Sequence, residues 1–169
     1  MKRSKLILVA AAALAAGCTT ASYDGRGLVP GRSDAKEVEA LMGQPAERVG
    51  TSGGDSVWFY PRNPTGPHTY AVRLNPQGIV QAVEQRLTMD NLARLVPGTT
   101  TRAEVRALLG PPWVVSRLAR QQREVWSYRM DNGLFVEHDL YVQFSADGVV
   151  REAILLKDMK NDLGHGSKD

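Results

Sequence analysis

Three groups of residues in this 169-residue chain have side chains of the kind that catalysis or metal binding uses. Gly50-Thr51-Ser52-Gly53-Gly54 spells the Gly-x-Ser-x-Gly of a nucleophile elbow, where a tight strand-to-helix turn lifts a serine hydroxyl out for acyl transfer. Here the expected order is reversed, with a helix upstream and a strand downstream of a glycine-rich connection. Ser52 therefore reads as a loop residue, and no catalytic residue is assigned. His68, His138 and His165 are widely separated and lack the cysteine or His-x₃-His spacing of a metal site. Neither metal nor cofactor is expected. Asp131 and Glu137 are carboxylates of the type general acid–base chemistry uses, yet the sequence offers them no partner, and they read as solvated loop charges. The chain is not expected to be an enzyme.

Binding chemistry has better support. Arg117, Arg120 and Arg123 lie close together in a loop whose counterpart in the first half of the chain holds only Thr51, Ser52, Gly53 and Gly54. They are the candidate contact for anionic lipid headgroups or an acidic partner surface, each charge near a membrane contributing about 1 kcal/mol; the alternative is an ordinary solvated loop. Trp58, Tyr60, Trp126 and Tyr128 would suit an aromatic platform, but aromatics alternating along a strand toward a helix read as core.

The N-terminus carries its own chemistry. Lys2, Arg3 and Lys5 precede an apolar run from Leu6 to Ala16, too short to span a bilayer, which marks residues 1–17 as a signal peptide. Leu14-Ala15-Ala16-Gly17-Cys18 resembles the lipobox of bacterial lipoproteins, which implies lipidation of Cys18 and a mature N-terminus bearing acyl chains such as palmitate. Two chains already give stable anchoring. Cys18 is the chain's single cysteine, so no disulfide staples the fold. Thr19, rather than an aspartate, follows it, which by the same resemblance directs the protein to the outer membrane, facing the periplasm. Losing Lys2, Arg3 and Lys5 with the leader brings the 21 cationic side chains level with the 18 acidic ones. That balance gives no support to nucleic-acid binding.

The elements that must position these groups occur twice. Leu28-Val29-Pro30-Gly31 and Leu95-Val96-Pro97-Gly98 each open a stretch ending in a helix, through Val38, Leu41 and Met42 in one copy and Val105, Leu108 and Leu109 in the other. Asp34 with Glu37, and Thr101 with Glu104, are spaced as capping boxes, and Gly43 and Gly110 sit where a left-handed residue ends a helix. A further short helix over Asp90–Val96, capped by Asp90 or Asn91, precedes the second copy. Strands follow through Trp58 and Tyr60, Tyr70 to Leu74 and Ile79 to Gln85, then through Trp126 and Tyr128, Leu140 to Phe144 and Val149 to Leu156. The turns Asn75-Pro76-Gln77-Gly78 and Ser145-Ala146-Asp147-Gly148 close hairpins. The expectation is an α+β fold of two tandem ααβββ repeats, helices packed on antiparallel sheet, with three strands in each copy. Residues 18–27 are read as a flexible tether, 28–88 and 89–158 as the repeats, and 159–169 as a disordered tail.

The order Gly-x-[Ser/Thr], Glu-Val, Leu-x-Gly-x-Pro, Trp-x-Tyr and a glycine turn before an apolar pair, occurring twice after a lipobox, resembles the SmpA/OmlA family of BamE-like outer-membrane lipoproteins over 28–86 and 90–157. The resemblance implies a non-enzymatic, periplasm-facing module whose partner is a protein of the barrel-assembly machinery, with affinity for phosphatidylglycerol. The tandem arrangement is also similar to the β-lactamase inhibitory proteins, whose merged sheets clasp a partner. That likeness implies the alternative, an inhibitor or sequestering module that holds a soluble periplasmic protein on a concave sheet.

Overall fold

The computed structural model describes residues 22–131 and 137–157. Cys18, the signal peptide, the first part of the tether and the tail from 159 lie outside these. The first repeat runs α1 (Ala35–Met42), β1 (Glu47–Gly50), β2 (Ser56–Pro61), β3 (Thr69–Leu74) and β4 (Val80–Gln85). The second runs α2 (Met89–Ala93), α3 (Arg102–Leu109), β5 (Val114–Leu118), a 3₁₀ turn (Ala119–Gln121), β6 (Arg123–Asp131), β7 (Glu137–Phe144) and β8 (Val150–Lys157). The fold is α+β, and each repeat carries its own antiparallel sheet, ordered β1-β2-β3-β4 and β5-β6-β7-β8. Among the described residues no sheet is shared between the two repeats.

Each sheet thus has four strands rather than the three expected. β1 and β5, the additions, are short edge strands directly after the Gly-x-Pro exit of a helix. Every residue of β5 is exposed, so it has none of the apolar alternation by which a strand is recognised.

Both capping boxes form: the Asp34 and Thr101 side chains accept from backbone N–H groups, while Glu37 and Glu104 accept from the cap backbone. Val38 and Met42 in α1, and Val105 and Leu109 in α3, are buried against the sheets. The first core joins them to Tyr60, Val72, Leu74 and Val80, the second to Trp126, Tyr128, Leu140, Val142, Phe144 and Val150. The strand aromatics are therefore core. Trp58 packs at the margin of the first cluster, under the Arg48 guanidinium 4.5 Å from its ring centre.

Two local expectations are corrected. α2 begins at Met89 and ends at Ala93, and its cap is Thr88, whose hydroxyl accepts from the Asn91 N–H. Asn91 caps nothing, because its side-chain amide is committed to the carbonyls of Arg86 and Leu108, 2.9 and 3.3 Å away. Gly43 and Gly110 have positive φ (82° and 83°) but ψ near −166° and −172°, an extended exit outside the left-handed helical basin. That exit aims the chain straight into the edge strand.

Of the segment read as a tether, residues 22–27 lie on the first repeat. Ser22 N donates to Leu41 O at 3.1 Å, and Gly25 approaches Val83 so closely that an added Cβ would stand 2.8 Å from its Cγ1. The glycines there permit close contact, which in a sequence reads the same as looseness.

Candidate interaction surface

The arginine run becomes the tip of the β5–β6 hairpin. Arg117 is in β5, Arg120 in the 3₁₀ turn and Arg123 opens β6. Gln122 takes a left-handed conformation (φ 52°) to close the tip, an uncommon backbone for a residue with a side chain.

The three arginines are not equivalent. Arg123 Nη1 donates to Gln143 Oε1 at 2.9 Å and lies 3.5 Å from the Glu152 carboxylate. Glu124 is engaged as well, its Oε1 accepting from Arg102 Nε at 3.0 Å and Trp126 Nε1 at 2.8 Å. Among the described residues, the side chains of Arg117 and Arg120 have neither an ion pair nor a hydrogen bond, although the Arg117 backbone is in the β5–β6 ladder. Arg117 borders a hollow of about 520 Å³ whose walls include Leu118, Ala119, Gln122 and Arg102. The hairpin therefore presents a locally cationic tip.

Beside that tip several apolar side chains are exposed: Trp113, Val114, Val115 and Leu118 are 45%, 41%, 55% and 40% exposed.

A larger hollow, about 890 Å³, lies where the 22–27 segment meets the β2–β3 loop. Arg62 stacks over Tyr23 with its guanidinium carbon 4.3 Å from the ring centre and donates to the Tyr23 carbonyl at 3.1 Å. Burial lowers its pKa from the ordinary value. His68 stacks on Tyr70, 5.8 Å between centres, and its Nε2 lies 3.3 Å from Asp131 Oδ2.

That contact connects a loop of the first repeat to a strand of the second. Asp131 and Glu137, read from sequence as unpartnered, stand opposite each other across β6 and β7. Among the described residues no group of His, Cys, Asp or Glu is gathered that could hold a metal ion. Ser52 sits in the β1–β2 hairpin, with a strand on each side of it; the element before the motif is β1 rather than the expected helix, and no helix follows.

The repeats themselves are joined by a built interface that the sequence did not reveal. The outward face of the first sheet, carrying Glu47, Phe59, Thr69 and Ala71, receives the end of α3. Arg106 meets the Glu47 carboxylate two-fold, Nε at 2.8 Å and Nη2 at 2.6 Å. Gly110 abuts Thr69 and Phe59 so tightly that a Cβ would stand 2.7 Å and 3.0 Å from them. The Asn63 amide group donates to the Arg129 carbonyl at 3.1 Å, and its oxygen accepts from the Arg129 N–H. The signal available in the sequence was disagreement between the copies. Glu47 pairs with Phe59 as Val114 pairs with Ser127, so an acid faces a valine at equivalent places.

The fold thus defines a duplicated α+β repeat protein, its repeats stacked head to tail. Residues 85–153, essentially the second repeat, match the family described as the outer membrane protein assembly factor BamE domain, and that part of the chain is BamE-like. A solved structure, the DUF4309 family protein YjgB of Bacillus subtilis subsp. subtilis str. 168, is 19% identical, covering 78% of this chain and 82% of its own, at a TM-score of 0.29. No curated protein matches the chain significantly.

Proposed function

We propose that the protein is a periplasm-facing outer-membrane lipoprotein, anchored through Cys18, that serves outer-membrane protein assembly by protein contact and catalyses no reaction. The observation that carries this reading is the BamE-domain match over residues 85–153. Among the described residues no helix is long and apolar enough to cross a membrane, so a lipid on Cys18 would supply the attachment. Anchoring confines the module to two dimensions and raises its effective concentration near a membrane-bound partner.

The contact surface in this reading is the cationic hairpin of Arg117 and Arg120 with its apolar flank, while Arg123 serves the fold. β6 runs from Arg123 to Asp131, so the hairpin tip lies about 20 Å along the strand from Arg129, at about 3.3 Å per residue. Arg129 contacts Asn63, next to Arg62 and the 22–27 segment. The 22–27 segment, which follows the proposed lipid attachment, and the hairpin therefore lie toward opposite ends of β6, which favours an acidic protein surface over the anchoring leaflet as the hairpin's partner.

Affinity purification of the full-length lipoprotein from solubilised outer membranes tests the assignment. Co-purification of the barrel-assembly subunits is expected. Recovery of a soluble periplasmic enzyme as sole partner would overturn it in favour of a sequestering module.

A further inference from the structure

We propose that β5 is a strand-addition site: an extended segment of a partner protein, apolar along its length and acidic at one end, pairs with this edge and places its carboxylates on Arg117 and Arg120. The proposal rests on reading the chain as a contact module and names the chemistry of what it contacts.

Two sheets of four strands leave four edges, and three of them are blunted in the ways edge strands usually are. On β1, Glu47 is held by Arg106, and Arg48 is tied to Glu39 while lying over Trp58. β4 has its Val80 N–H and C=O taken by Ser33 and Gly31, and the Gly25 backbone presses on Val83. β8 gives Val150 to Thr100 and Gly98 and then carries Arg151, Glu152 and Lys157. β5 has no comparable backbone tie or ion pair among the described residues, and its one charged residue is Arg117. It is a run of two β-branched residues, a serine, an arginine and a leucine, every one exposed, with Trp113 exposed just before it. An unblunted apolar edge is an aggregation hazard unless something covers it. Strand addition covers it while using the free backbone groups.

The side chains state what the added strand must look like. Alternation places Val115 and Arg117 on one face, opposite Trp126 and Glu124, and Val114, Ser116 and Leu118 on the other. Apolar residues fit beside Val114, Val115 and Leu118. An acid fits beside Arg117, and a second acid just beyond the strand's end is placed toward Arg120 in the 3₁₀ turn that follows β5. A second copy of this edge does not fit. From Val114 to Gln122 there are two arginines and no acid, so a second copy would leave Arg117 and Arg120 without a counter-charge.

The probe is a synthetic peptide of alternating valine and threonine ending in two glutamates, titrated against the purified soluble domain and read by fluorescence anisotropy and amide hydrogen exchange. Binding is expected with slowed exchange at 114–118. N-methylation of the peptide on alternate residues, in whichever register faces β5, should abolish it. R117E together with R120E should weaken it at least about tenfold, whereas R26E in the first repeat should leave it unchanged.

Three outcomes would overturn the proposal: no binding, protection that maps elsewhere, or affinity indifferent to N-methylation. Because the assay contains neither membrane nor assembly machinery, it can fail while co-purification succeeds, or succeed while co-purification fails.

Discussion

Gly43 and Gly110 end equivalent helices with nearly the same backbone, yet one faces open space and the other is pressed against Phe59 and Thr69. The pair therefore separates two costs that usually come together. At Gly43 an alanine meets no atom within 4 Å and suffers only backbone strain, about 1–3 kcal/mol in this glycine-only region. G110A bears the same strain plus overpacking against the first sheet, about 1–3 kcal/mol more. Urea melts of the two variants should differ by that increment; equal losses would mean that the Gly110 contact is slack. Each glycine's carbonyl also accepts from a tyrosine, Tyr60 at 3.3 Å and Tyr128 at 3.2 Å. Burial pushes the Tyr60 hydroxyl up to about 12 and raises Tyr128 further still. In the unfolded chain both ionise near pH 10, so the stability linked to their protonated form is complete below that pH. It is lost as the pH climbs through about 12, and Y60F should flatten the decline between pH 10 and 12 in melts followed by circular dichroism.

At the scale of elements, the inter-repeat joint is the end of α3 seated on the back of the first sheet, with Arg106 and Glu47 as its polar clasp. The clasp is two-pronged but partly solvated, its side chains 40% and 23% exposed, so its contribution is nearer that of a good surface pair than of a buried one. A double-mutant cycle with R106A and E47A should give a coupling of about 0.5–1 kcal/mol, measured by urea unfolding; zero coupling would leave the joint to the Gly110 packing and the Asn63–Arg129 and His68–Asp131 links. Such elements show how far the sequence could be read. The caps at Asp34 and Thr101, the glycine stops, the Trp-x-Tyr strands and the hairpin turns were legible because each is a local rule with residues at fixed spacing. β1 and β5 were not, since an edge strand exposed throughout has no buried face to leave a periodic trace. Glu47 with Arg106 and His68 with Asp131 were equally hidden, because pairing across repeats depends on how the units stack. The arginine run was visible as composition; only the fold separates Arg123, bound to Gln143 and Glu152, from the two that remain open.

At the scale of the whole molecule, the joint decides whether two small units behave as one. A single repeat of this size buries only about 60% of its unfolded surface and is marginal alone, whereas a stacked pair gains an interface energy shared by both. The cores are separate, one around Val38 and Tyr60, the other around Val105 and Tyr128, so any cooperativity must pass through the joint, where Gly110, Phe59, Thr69 and the Arg106–Glu47 clasp meet alongside the Asn63–Arg129 and His68–Asp131 links. The tryptophans can read each side independently. Trp58 belongs to the first repeat, and Trp126 lies in the second core. Variants keeping only Trp58 or only Trp126 should report coincident urea transitions, the mark of one cooperative unit. Adding G110A to both should loosen the joint and separate the midpoints, with the repeat of lower intrinsic stability melting first. If the midpoints already differ without G110A, the repeats are independent beads. If they stay together with it, the stacking energy is spread beyond the Gly110 contact into the Asn63–Arg129 and His68–Asp131 links.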